Sequence, residues 1–137
     1  MDKFLYSYHF SLHLNFKDDV NVDDLEKHFG VKAYKKTFLK DSKGKDKTAK
    51  LWYKSKDFTD INTDESMELF VKKIYNNFKD LKDILKDNNG LANFTIYFTE
   101  THERPIIALT PTTIELFYKL GLSFEADFVN KVIFKPL

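Results

Sequence analysis

Cysteine is absent from this chain, which excludes a disulfide framework, a thiolate nucleophile and any cysteine-ligated zinc site. Arginine is nearly absent. Arg104 is the single arginine among 22 basic residues, so the side chain best suited to bidentate phosphate or guanine contacts is missing from most of the surface. No apolar run approaches the roughly 20 residues of a membrane span. The start, Met1-Asp2-Lys3 followed by alternating residues, lacks the continuous apolar core of a signal peptide, so a cytoplasmic protein with no membrane partner is expected. Walker, GxGxxG, HExxH, GxSxG and EF-hand patterns do not occur, and the sequence implies no cofactor and no bound metal.

What is present argues for one domain spanning residues 1–137. Hydrophobic residues make up 42% and aromatic residues 16%, enough for a real core without staples. Phe4, Tyr6, Tyr8, Phe10, Leu12, Leu14 and Phe16 occupy every second position, interleaved with Ser7, His9, Ser11, His13 and Asn15. That alternation predicts a long central strand with one apolar face, because successive side chains leave a strand on opposite sides.

Asn21 caps a short predicted helix with Val22, Leu25 and Phe29 on one face and Gly30 at its end. Val31–Lys40 and Thr48–Lys56 read as a hairpin around a polar turn. From Thr63 to Leu85, Met67, Phe70, Val71, Ile74, Phe78, Leu81 and Leu85 follow helical spacing for about five turns, loosened or kinked at Asn76-Asn77 and stopped by Asn88-Asn89-Gly90. Strands are then predicted over Leu91–Thr99 and Ile106–Leu109. Thr110-Pro111 starts a helix with Ile114, Phe117 and Leu120 inward, and Gly121 closes it. Ser123–Val129 alternates with Phe124, Ala126 and Phe128 inward, and Asn130–Leu137 reads as a last strand or docked tail.

The order β-α-β-β-α-β-β-α-β predicts an α+β fold: a mostly antiparallel sheet with helices on one face, a ferredoxin-like β-α-β-β-α-β core extended by a further β-α-β. The segments "DDLEKHFGVKAY" and "TTIELFYKLGLSFEA" echo each other, each a short helix ending in glycine and entering a strand.

Several of these features together resemble a bacterial family catalogued as domain of unknown function 4279 (DUF4279). They are the alternating N-terminal strand, the "VDDLEKHFGVKA" helix-to-strand step, Trp52 in the third strand, the long middle helix and the run "FTIYFTETHERPIIALTPTTIELFYKLGLSFEADF". In that family the ending looks like a strand, a proline-led apolar strand, a helix and a final strand with an aspartate, which Asp127 matches. The hairpin "LKDSKGKDK" is longer and more charged than the family's basic-Gly-acidic turn. The resemblance implies the single-domain fold and carries over no catalytic residue. A Lys-, Asn- and Phe-heavy composition also fits an AT-rich bacterial genome.

Net charge is only +1, yet residues 31–56 hold ten lysines against Asp41 and Asp46, leaving twelve basic and nineteen acidic residues elsewhere. Lys35, Lys36, Lys43, Lys45, Lys47 and Lys50, with Tyr34, Phe38, Trp52 and Tyr53 nearby, form a candidate binding surface. Such a surface fits an acidic protein or single-stranded nucleic acid, and lysines also guard an edge strand against unwanted pairing. His9 and His13 lie about 13 Å apart along a strand and cannot share a metal unaided. If the last strand neighbours the first, His9 and Ser11 would face Glu125 and Asp127, a possible acid–base or metal-dependent enzyme site. Thr101-His102-Glu103-Arg104 reads as a loop. The leading expectation is a non-catalytic binding protein of immunity or accessory type, steered to a charged protein partner by its two-signed surface. Head-to-tail self-association is the nearest variant, and a nucleic-acid-binding module using hairpin 31–56 is the first alternative.

Overall fold

The alternating N-terminal segment forms β1 (Tyr6–Phe16), and its even-numbered side chains are the centre of the core: Tyr8, Phe10, Leu12, Leu14 and Phe16 are at most 1% exposed. The computed structural model describes residues 6–45, 47–100 and 107–128. Fully burying one such side chain is worth roughly 1.5–3 kcal/mol before ordering entropy is subtracted.

The remaining elements are α1 (Val22–Phe29), β2 (Lys35–Thr37), β3 (Ala49–Lys54), β4 (Phe58–Asp60), α2 (Thr63–Asn77), α3 (Leu81–Asp87), β5 (Gly90–Glu100), α4 (Pro111–Leu120) and β6 (Leu122–Phe128). The sheet runs β2-β3-β1-β5-β6, with β4 paired to the first residues of β1. β1 is central as expected, antiparallel to β3, β4 and β5; β6 alone is parallel to its neighbour, β5. That parallel pair requires a crossover, which α4 provides. The fold is therefore α+β with a mixed, mostly antiparallel sheet. All four helices send their buried side chains into the cluster that holds the even positions of β1, so they lie on one face of the sheet. No helix among the described residues is long and apolar enough to cross a membrane.

Local chemistry explains the helix ends. The Asn21 side chain accepts from the Asp24 N–H at 3.1 Å, and Thr110 accepts from the Thr113 N–H at 3.1 Å, each satisfying a first-turn donor. Gly30 and Gly121 take φ of 72° and 74°, the left-handed turn that closes α1 and α4.

The structure departs from the expected elements in several places. The strand foreseen over Val31–Lys40 shrinks to Lys35–Thr37, because the Ala33 N–H is taken by the Glu26 carboxylate at 2.7 Å and Leu39–Asp41 closes a 3-10 turn. The long middle helix is broken rather than kinked. Phe78 leaves the helical path (φ −119°, ψ 33°) and packs its ring on Phe29 and Tyr53 at 4.3 and 5.1 Å. β4 appears where no strand was read; Phe58 stacks on Tyr8 at 5.3 Å, and the Tyr8 hydroxyl donates to Asp60. Residues 107–109 of the strand foreseen over Ile106–Leu109 form no strand and lead directly into the Thr110 cap of α4. In α4 the inward stripe is Thr113, Leu116, Phe117 and Leu120, while Ile114 is 54% exposed.

On β6, Phe124 and Phe128 do reach the core side, at 6.3 Å from Phe94 and 5.4 Å from Phe98, but an edge strand leaves Ala126 exposed. Phe4, the Thr101–Arg104 turn, Ile106 and the Asn130–Leu137 tail lie outside the described residues.

Candidate functional site: the helix-free face of the sheet

The odd positions of β1 occupy the opposite face, and register decides what they meet. His9 faces Tyr97, Ser11 faces Thr95 and His13 faces Asn93 across β5. On the other side Ser11, His13 and Asn15 face Lys54, Trp52 and Lys50 of β3, and Lys35 of β2 lies beyond Trp52. Outside β5, the β6 residues Ser123, Glu125 and Asp127 pair with Asn93, Thr95 and Tyr97.

This register assembles a continuous stripe of five rings. Tyr34, at the sheet margin, meets Trp52 edge-on at 4.9 Å; Trp52 stacks on His13 at 5.0 Å; His13 contacts Tyr97 at 6.4 Å; Tyr97 stacks on His9 at 5.1 Å. The Tyr97 hydroxyl lies 3.4 Å from His13 Nε2. Cross-strand aromatic pairs of this kind stiffen a sheet face as well as offering contact area.

Burial is the chief cause that holds both histidines below their usual titration range. Lys54 adds to the effect at His9 and Lys50 at His13, with Asp57 and Glu125 opposing them. Burial also pushes the Tyr97 hydroxyl up, and Asp127 adds to it. Among the described residues four buried polar atoms make no hydrogen bond within the fold, and three are on this face: His9 Nδ1, Ser11 Oγ and Trp52 Nε1. Asp57 stands 3.7 Å from His9 Nδ1, too far for such a bond.

A stability consequence follows. A histidine whose folded-state pKa is depressed is bound by more protons in the unfolded chain, so its contribution is intact above the unfolded value of about 6.5 and is lost as pH falls below it. Chemical denaturation between pH 7.5 and pH 5 is expected to show stability declining on acidification. A His9→Gln/His13→Gln variant should flatten that slope, and an unchanged slope would contradict the burial argument.

Beside the stripe lies a cleft of about 230 Å³, lined by His13, Asn15, Lys35, Thr37, Lys50 and Trp52. Two ammonium groups, a hydroxyl, an amide and an indole suit an anionic group carried next to a planar or apolar one.

The expected lysine set divides. Lys35 and Lys50 line this cleft. Lys36 turns to α1, held by Asp23 at 2.8 Å and Glu26 at 2.9 Å, contacts that also raise its pKa. Lys43, Lys45 and Lys47 are exposed in the loop before β3. Trp52 is half-buried at the cleft wall.

The His9–Glu125–Asp127 constellation is not assembled by strand adjacency, because β5 lies between β1 and β6. Tyr97 separates His9 from Asp127, and Thr95 separates Ser11 from Glu125, about 9–10 Å between outer strands. Among the described residues no group of three His, Asp or Glu side chains is placed to hold a metal.

Tyr97 was not singled out by sequence reasoning, and His13 was weighed only as a metal ligand beside His9. Their outward positions were readable from alternation, but their joining to Trp52 depends on strand order. Comparison of the chain with protein-family models, with curated proteins and with solved structures gives no significant match.

Proposed function

We propose that this chain is a small binding protein whose working surface is the helix-free face of the sheet and whose partner is another protein. The observation that carries this reading is the five-ring stripe from Tyr34 to His9, flanked by Lys35 and Lys50 on one side and by Glu125 and Asp127 on the other. Aromatic side chains supply most of the energy at protein interfaces, and flanking charges of opposite sign fix orientation and raise association rates. A polyanionic strand crossing the sheet would run into the β6 carboxylates, which favours a protein with its own two-signed surface over nucleic acid. The most specific form of the reading is an immunity-type protein that blocks a toxin.

Nucleic acid is the second reading, favoured by the cleft that sets Trp52 beside Lys35 and Lys50.

Trp52 is the only tryptophan, so its emission reports directly on this face. Products of neighbouring genes, and the chain itself by sedimentation, are the first partners to test. Binding is expected to shift Trp52 emission. Trp52→Ala or Tyr97→Ala should weaken it by at least tenfold, about 1.4 kcal/mol or more. A partner that binds both variants normally would remove this surface from the proposal. Tight binding of a single-stranded oligonucleotide, falling log-linearly with salt, would replace the protein partner by nucleic acid.

A further inference from the structure

On the helix side, a cleft of about 360 Å³ opens between α2, β3 and the segment leaving α1. Its floor is largely apolar, made by Tyr53, Phe70, Ile74 and Phe78, with Val31 at one wall and Tyr34 and Asn77 at the rim. Lys32 and Lys73 line the same cleft; Lys54 borders it but holds its ammonium over the Tyr34 ring at 5.4 Å, and among the described residues no carboxylate lines the cleft. A second cleft of about 360 Å³ adjoins it along α2, sharing Phe70 and Lys73 and adding Phe58, Leu69, Lys56 and Lys72. Lys72 is engaged by Glu68 at 3.3 Å, but no carboxylate lines this cleft either. The first cleft is at the small end of the roughly 300–1,000 Å³ typical of ligand pockets.

We infer that this cleft binds a small amphipathic monoanion, an acyl-chain carboxylate, with the chain on the ring floor and the carboxylate among the lysines. Charge complementarity selects the anion: Lys32 and Lys73 line one cleft with no acid among its lining residues. The floor selects the hydrocarbon. A peptide laid there would bring a row of backbone N–H and C=O groups onto ring carbons with few groups to bond them, whereas a methylene chain adds no polar group; the buried Tyr53 hydroxyl lacks a hydrogen-bond partner within the fold in either case. The adjoining cleft gives a longer chain somewhere to run, past Phe70 toward Leu69. Tyr34 ends the ring stripe and also borders this cleft, but Lys32 and Lys73 belong to the cleft and not to the stripe, so failure of this site and failure of the protein-binding face are separable.

The experiment is a titration of the full chain with octanoate, decanoate and dodecanoate below their micellar concentrations, followed by amide chemical shifts, with decylammonium as the cationic control. Saturable one-to-one binding is expected, with shifts centred on Val31, Tyr53, Phe70 and Ile74. Affinity should rise about three- to fourfold per added methylene. Decylammonium should not compete. Lys32→Glu/Lys73→Glu, confirmed folded by its amide spectrum, should lose at least tenfold in decanoate affinity. Four results each overturn the inference: no saturation by decanoate, equal binding of the cation, no gain with chain length, or unchanged affinity in the charge-reversal variant. Shifts centred on Trp52 and Tyr97 would overturn it too.

Discussion

Phe94→Ala is expected to lower the unfolding free energy by about 3–5 kcal/mol, the cost of removing a fully buried ring from a core that cannot collapse around the space. Phe94 is 0% exposed and sits where four elements meet. Its ring lies 5.6 Å from Phe10 of β1, 5.9 Å from Phe70 of α2, 5.0 Å from Phe117 of α4 and 6.3 Å from Phe124 of β6. Each neighbour is itself held by a strand or helix, so none can move in without repacking its own element. Against a typical total of about 5–15 kcal/mol, the loss is a third or more of the stability. Urea denaturation should show a lower midpoint with an unchanged slope. Phe128→Ala is the matched comparison: that ring stacks on Phe98 but is 41% exposed, so it should cost well under half as much. Equal losses at the two positions, or less than about 1.5 kcal/mol at Phe94, would mean that the centre of the core has been misplaced.

The parts of this architecture that could be read before any coordinates are those written in local chemistry. Alternation in β1, the Asn21 cap with Gly30, and Thr110-Pro111 with Gly121 all act within a few residues, and each appears where its pattern places it. The α+β class follows from their order. What was hidden depends on distant partners. Phe78 continues a helical stripe in sequence, yet the rings of Phe29 and Tyr53 draw it out of the helix. Phe58–Asp60 is too short to announce itself as a strand and exists because β1 offers Tyr6–Tyr8 as a partner. Ile114 fits the inward spacing of α4, but docking selects the neighbouring stripe through Thr113 and Leu116.

The candidate site divides the same way. That His9, His13, Asn93, Thr95 and Tyr97 leave the core was legible from period-two patterning. That β5 rather than the last strand lies beside β1 was not, and it both separates His9 from Asp127 and joins His13 to Trp52. The lysine cluster was visible as composition. Its division into Lys35 and Lys50 at the cleft and Lys36 on α1 depends on which strand face each occupies.

Because the two faces alternate along one strand, substitutions on the ring stripe leave the helix-side core untouched. The protein can therefore change its binding surface without giving up Phe10, Leu12 or Leu14.

Gly90→Ala is expected to destabilise the fold by about 2–3 kcal/mol, although glycine-to-alanine changes at permissive backbone positions usually stabilise by about 0.4–1 kcal/mol. The sign is decided by space. A Cβ at Gly90 would stand 2.7 and 2.8 Å from Phe16 Cδ1 and Cε1 and 2.9 Å from Leu85 Cδ2, closer than real Cβ contacts. Neither neighbour has an easy retreat. Phe16 is 0% exposed and fixed by its pairing with Ala49 and Gly90, and Leu85 is 6% exposed on α3. Gly90 begins β5 immediately after Asn89, whose φ is 51°, so the strand cannot shift there without disturbing the turn out of α3. The clash can be isolated with Phe16→Leu, which removes the ring atoms involved while keeping an apolar side chain. In the double variant the alanine should cost at least 1 kcal/mol less than it does alone, beyond the about 0.3–0.5 kcal/mol within which independent sites add. Strict additivity, or a Gly90→Ala protein as stable as the parent, would show that the ring of Phe16 does not set the entry of β5 into the sheet.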